Sequence, residues 1–140
     1  MDVRVVKTEK EKSDAFKVRH TVFVDEQNVP SDLEIDEHDN DAIHFVAYDK
    51  SAPVAAGRFR VLDNMGKVER ICVLGDYRGT GLGLLLMSAI ETHAKDLSLK
   101  GTKLNAQISA VGFYEKLGYE VISDQFMDAG IPHVTMTKNL

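Results

Sequence analysis

Across residues 67–97 the hydrophobic period changes once, and it changes at a turn holding three glycines. Lys67 to Leu74 alternates as a strand does, while Leu82, Leu85, Leu86, Ala89, Ile90, His93, Ala94 and Leu97 recur at steps of three and four. That spacing predicts a helix over roughly Gly81 to Leu97. Between the two lies Arg78-Gly79-Thr80-Gly81-Leu82-Gly83. A strand feeding a glycine turn and then a long apolar helix requires a sheet with helices packed on it. The turn also constrains chemistry. Glycine permits backbone conformations that other residues resist, and the first N–H groups of a helix have no internal partner. Together with the helix dipole they form an anion site, and Arg78 adds a fixed positive charge. A phosphate or pyrophosphate ligand is the expectation. A purely structural strand–helix turn would use the same glycines. The spacing G-x-G-x-G matches neither the dinucleotide fingerprint nor the Walker A pattern.

The remaining elements follow from local patterns. Val3 to Val6 reads as a first strand. Lys10 to Asp25 reads as a helix, with Ala15, Val18 and Val22 on one stripe and Thr8 or Ser13 as its cap. Gln27 to Asp41 reads as an irregular acidic loop. Ile43 to Tyr48, Val54 to Leu62 and Lys67 to Leu74 form a meander. Simple alternation places Glu69, Ile71 and Val73 on one face of its last strand, with Val68, Arg70 and Cys72 on the other. Lys103 to Gln107 is a strand, and Ala110 to Leu117 is a short helix stopped at Gly118. Tyr119 to Ser123 and His133 to Lys138 are the last strands. The order β-α-β-β-β-α-β-α-β-β describes one α/β domain over residues 1–140, with a mixed sheet flanked by helices and parallel around the central strand–helix–strand unit.

Arg78-x-x-Gly81-x-Gly83, opening a Leu-rich helix, resembles the [RQ]-x-x-G-x-[GA] signature of the GNAT N-acetyltransferase superfamily. Leu104-Asn105-Ala106-Gln107 followed by Phe113-Tyr114-Glu115-Lys116-Leu117-Gly118-Tyr119 resembles its second block. Val22 to Gln27, Glu34 to Asp36, Glu69 to Val73 and Asp128 to His133 extend the resemblance to the bacterial ElaA/YjcF-like subgroup. The resemblance implies an N-acetyltransferase with acetyl-CoA as cosubstrate and a primary amine of a small molecule or peptide as acceptor. Transfer would be direct, in a ternary complex. It further implies that Ile71, Cys72 and Val73 run along the pantetheine arm, with the Val73 N–H as oxyanion donor. Arg78, Gly79, Thr80, Gly81, Leu82 and Gly83 would hold the pyrophosphate, and Asn105 would lie near the arm. Tyr114 takes the position of the general acid, and a homodimer is in keeping with the family. A CoA-binding module without turnover, serving as a sensor or interaction domain, is the alternative.

Glu69 is the first candidate for the base; Glu26, His44, His133 or water are its rivals. Each histidine could equally be a satisfied structural residue, and Glu69 a strand carboxylate held in an ion pair. Cys72, the single cysteine, reads as a buried small hydrophobe, so no disulfide framework exists. Five scattered histidines do not suggest a metal site. The net charge of −5 and the absence of a basic stripe argue against nucleic acid. No apolar run approaches the ~20 residues of a membrane helix, and no secretory leader is evident, which suits a cytoplasmic protein. From Asp25 to Asp41 there are eight acids and no Lys or Arg. That segment is either a solvated loop or an acidic rim that attracts a cationic amine.

Overall fold

The computed structural model describes residues 1–140. Eight strands form one sheet: β1 (Asp2–Val5), β2 (Ile43–Asp49), β3 (Ala52–Leu62), β4 (Met65–Val73), β5 (Gly101–Gln107), β6 (Glu120–Val121), β7 (Phe126–Asp128) and β8 (Ile131–Asn139). The order across the sheet is β1-β2-β3-β4-β5-β8-β6, with β7 paired to β8. β4 and β5 are parallel and the other pairs antiparallel. The expected α/β architecture with a mixed sheet is therefore present. β7 is one strand more than the spacing predicted. It forms a hairpin with β8 through Ala129 and Gly130, both at positive φ.

Helix α1 (Glu9–Arg19) starts at Thr8, whose side chain accepts the Glu11 N–H while the Glu11 carboxylate accepts the Thr8 N–H. The helix expected to run to Asp25 instead widens into a π-helix over His20–Glu26. The acidic loop contains a short helix α2 (Ser31–Glu34) and a 3₁₀ turn over Glu37–Asn40. Helix α3 (Leu82–Asp96) and helix α4 (Val111–Lys116) complete the chain. No helix is long and apolar enough to cross a membrane.

Two apolar clusters sit on opposite faces of the sheet. Leu82, Leu86, Ile90 and Ala94 of α3 pack on Phe45, Phe59, Val68 and Leu104. Ala15 and Val18 of α1 pack on Val46, Ala56 and Cys72. Val68 and Cys72 belong to different clusters, four residues apart on one strand, so strict alternation fails between them. The register gives the cause. Ala56 faces Cys72 and Arg58 faces Glu69, so Arg70 and Ile71 together oppose the single residue Gly57. Arg70 adopts φ 61°, and this β-bulge turns the strand. A Cβ on Gly57 would lie 2.5 Å from Ile71 Cδ1, so the residue facing the bulge has no room for a side chain unless Ile71 shifts. The bulge corrects the face assignment from simple alternation. Glu69 shares the α1 face with Cys72, while Ile71 and Val73 pack with Val68 on the α3 face.

Candidate active site

The parallel β4–β5 ladder runs only from Met65↔Gly101 to Val68↔Leu104. Beyond Val68 the bulge carries β4 away, and the two strands diverge. A cavity of about 610 Å³ fills the gap. Its walls include Glu69 to Val73 of β4, Leu104 to Gln107 of β5, Tyr114 of α4 and His133 of β8. Leu74 donates its N–H to the Val54 carbonyl at 2.9 Å, so Leu74 points its backbone at β3. The backbone of Val73 must then point the other way, into the gap, because successive strand residues alternate their N–H direction. The Val73 carbonyl on that side accepts Arg78 Nε at 3.0 Å.

The glycine turn closes the open end of this gap. Gly79 and Gly81 adopt φ 77° and 86°, and a Cβ at either would meet nothing within 4 Å. Conformation, and not crowding, therefore requires glycine here. Gly83 has ordinary helical φ and lies against Phe113, 3.2 Å from a built Cβ. Gly81 caps α3 without a side-chain acceptor, and the first backbone bond of the helix is Leu85 N–H to the Gly81 carbonyl. The N–H groups of Leu82, Gly83 and Leu84 thus remain free for an anion. Thr80 is held by its hydroxyl bond to the Tyr77 carbonyl at 2.5 Å. Arg78 Nη2 binds Glu26 at 2.8 Å, so the charge beside the turn is already shared with a carboxylate. The turn, the diverging strands and Arg78 fit a long ligand with a phosphate head.

Tyr114 is almost fully buried, and burial pushes its pKa well above the ordinary phenol value. No hydrogen bond from protein engages its hydroxyl at the cavity wall. Cys72 is buried too, its thiol pushed up to about 12 by burial and its Sγ 3.7 Å from the Ala56 carbonyl. It is a thiol held protonated, as its reading as a small hydrophobe requires. Asn105 Oδ1 accepts the Thr135 hydroxyl at 2.8 Å, which leaves its amide donor free.

The candidate bases separate by geometry. Burial would raise the pKa of Glu69, but Arg60 at 2.8 Å and Arg58 at 3.1 Å outweigh it and hold the group below the usual carboxylate range. Glu26 is bound to Arg78. His44 lies outside the cavity, stacked edge-on to Phe16 with Nε2 2.8 Å from the Asp39 carbonyl, and burial lowers its pKa. His133 lines the cavity, with Nδ1 2.7 Å from the Ile131 carbonyl. A carbonyl only accepts, so Nδ1 carries a proton, and in the neutral ring Nε2 is the acceptor.

The acidic segment divides: Asp25, Glu26, Asp32, Glu37 and Asp41 are exposed, as a solvated loop requires, whereas Glu34 and Asp39 are buried. Arg19 binds Glu34 at 2.8 Å and Asp39 at 2.7 Å; Arg58 binds Asp36 at 2.8 Å and Asp39 at 2.6 Å. Arg70 adds contacts to Glu34 and Asp36. These three acids are committed to arginines and are not an open rim for a cation. An arginine between Gly57 and Phe59 in an otherwise apolar strand stretch was the available signal for this network. It was missed because its partners lie far away in sequence.

Residues 7–140 match the family described as acetyltransferase (GNAT) domain. YjcF of Bacillus subtilis strain 168, an uncharacterised N-acetyltransferase, is 51% identical over 140 residues, covering 99% of this chain and 100% of its own. The crystal structure of a candidate N-acetyltransferase from Lactobacillus plantarum superposes with a TM-score of 0.93 at 27% identity, over 99% of this chain and 97% of that one. Escherichia coli ElaA shares the fold, with a TM-score of 0.87 at 24% identity over 98% of each chain. A strand pair splayed at a bulge, an uncapped glycine turn at its mouth and a match over nearly the whole length lead to one conclusion: this chain belongs to the GNAT family of N-acetyltransferases, enzymes that use acetyl-CoA as acetyl donor.

Proposed function

We propose that the chain transfers the acetyl group of acetyl-CoA to a primary amine of a small molecule or peptide, by direct attack in a ternary complex. The observation that carries this reading is the Val73 N–H aimed into the β4–β5 gap, with the free N–H groups of α3 at its open end. Leu82, Gly83 and Leu84, backed by Arg78, receive the pyrophosphate. The pantetheine arm lies along Ile71 to Val73, with Cys72 turning its backbone to β3 and its side chain into the core, and Asn105 offering its amide from β5. The amine nitrogen attacks the thioester carbonyl, and the Val73 N–H donates to the oxygen as it gains charge. The attacking nitrogen loses its proton to His133 Nε2. Histidine is the side chain suited to exchanging a proton at neutral pH. Glu69, already neutralised by two guanidiniums, is the weaker base and serves to place the wall. Tyr114 donates a hydrogen bond to the departing sulfur. Burial raises the phenol further above a thiol of pKa ~8.5, so donation to sulfur, and not complete proton transfer, is its contribution.

The test is thiol release from acetyl-CoA with a broad panel of amines, alongside thermal melting. Acetyl-CoA raises the melting temperature where ATP and NAD do not, and at least one amine is acetylated. Stabilisation by acetyl-CoA with no amine acetylated would leave a CoA-binding module instead of an enzyme.

A further inference from the structure

The β4–β5 gap has a second end, away from the glycine turn. There the register places Arg60 opposite Lys67, and Lys67 opposite Lys103. Phe59, Val68 and Leu104 next to them all point into the α3-side core. Strand alternation therefore puts Arg60, Lys67 and Lys103 side by side on the other face. Three cations in one cross-strand row repel each other, which costs stability unless an anion answers them. Arg60 is answered by Glu69 at 2.8 Å. The two ammonium groups have no carboxylate within 4.0 Å. Lys67 lines the cavity, and Lys103 is exposed beside it.

The other groups on this face do not compensate the row. Glu69 is bound by Arg58 and Arg60 and meets the Lys67 charge only from beyond 4.0 Å. Arg70 and Arg58 are matched by Glu34, Asp36 and Asp39. Glu120 lies two strands from Lys103, beyond Thr137. Asp128 lines the same cavity but lies opposite Ile131, at the other end of β8 from the Thr137 that faces Lys103, and His38 sits 3.3 Å from Arg60. Asn105, two residues along the same face of β5, has its carbonyl engaged by Thr135 and offers only N–H donors. Lys67, Lys103 and the Asn105 amide are thus three donors side by side with no carboxylate bound to them. The six residues from Val73 to Lys67 span about 20 Å at ~3.3 Å each, too far for the phosphates held at α3 to reach.

We infer that Lys67 and Lys103, with the Asn105 amide, bind an anionic group on the acceptor, so that the preferred substrate is an amine also carrying a carboxylate or phosphate. The inference rests on the acyl-transfer reading and reverses the expectation of a cationic acceptor. Binding is measured by calorimetry on protein saturated with CoA, so no turnover is needed. The probes are ω-amino carboxylates of about eight to twelve carbons, long enough with an extended lysine side chain to bridge the ~20 Å between Val73 and Lys67, their carboxamides, and the corresponding aminoalkyl phosphates. At least one carboxylate or phosphate binds tenfold or more tighter than its matched amide, and which of the two leads tells the anion's identity. Lys67→Gln and Lys103→Gln each reduce that ratio several-fold, and the second, at an exposed position, guards against a folding defect in the first. Equal affinities, tighter binding of the amides, or no binding in the whole series would overturn the inference, as would a ratio that survives both replacements. If acetylation of every amine fails while the anionic probes still bind selectively, the acyl-transfer reading falls and the anion site stands.

Discussion

Tyr114 and His133 both line the cavity, and in the proposed mechanism each handles one end of the proton's path. The phenol is kept protonated by burial, and the Ile131 carbonyl fixes which tautomer the neutral imidazole adopts. Tyr114→Phe removes one hydroxyl and no packing, so turnover falls by roughly 10–100-fold while acetyl-CoA affinity stays within about twofold. Steady-state kinetics with calorimetric donor titration checks this, and equal turnover in the two proteins would exclude Tyr114 from the mechanism. His133→Asn keeps an amide donor where Nδ1 meets the Ile131 carbonyl and loses the base at Nε2. The expected loss in kcat is about 100-fold. Glu69→Gln, by contrast, costs kcat far less, because that carboxylate is already held by Arg58 and Arg60. If Glu69→Gln costs the larger factor and His133→Asn the smaller, the roles are reversed. Sequence alone put Glu69 first and His133 among its rivals. The ranking depends on which side chains already have partners, and those partners sit 9 to 11 residues away for Glu69, on the neighbouring strand.

At the scale of elements, the periodic parts of the chain were legible and the irregular parts were not. α3 and the three meander strands lie where a period of 3.6 and a period of 2 put them. The splay of β4 from β5, which makes the site possible, comes from the bulge at Arg70 and Ile71. Nothing in Arg70 demands a positive φ. The bulge shows only as a missing side chain at Gly57, a neighbour across the sheet. The π-helix after Arg19 is equally silent, since its residues also suit an α-helix. The glycine turn was the legible part of the site, because a left-handed conformation selects glycine directly. Gly81→Val forces a β-branched residue to φ 86°, and left-handed backbone costs an ordinary residue about 1–2 kcal/mol. Space around the added side chain is open, so the fold accommodates it and the loss falls on the turn's anion geometry. Acetyl-CoA affinity drops at least tenfold while the apo melting temperature falls only a few degrees. Unchanged affinity would mean that the pyrophosphate lies elsewhere.

For the molecule as a whole, the arginine–carboxylate network ties the acidic loop to the sheet. Arg19 and Arg58 are among the largest fully buried side chains, and Asp39 bridges them. Burial by itself would raise the Asp39 pKa, but hydrogen bonds and charge from Arg19 and Arg58 outweigh it and leave the group well below the ordinary carboxylate value. Asp36 is depressed as well, first by its bond to Arg58. A carboxylate whose pKa is lower folded than unfolded binds fewer protons in the native state. Its contribution is fully present above the unfolded value near ~3.9 and is lost as pH falls through the folded one. The melting temperature is therefore flat from pH 7 to about 5 and then falls steeply towards pH 3. Asp39→Asn leaves two buried guanidiniums short of their shared carboxylate, a change that costs about 3–5 kcal/mol at pH 7. In that variant the fall below pH 5 is shallower, because the most strongly depressed group no longer titrates. Thermal melts of both proteins across pH 3 to 7 decide the matter. A wild-type curve without an acid limb, or an Asp39→Asn curve parallel to it, would mean that the loop is held by its apolar contacts instead. Since Glu34 and Arg70 of the same network also line the cavity, the proposed acceptor wall is expected to loosen at acid pH before the core melts. Acceptor affinity then declines at a higher pH than the one at which the sheet unfolds, an order that equilibrium binding and circular dichroism on the same samples can resolve.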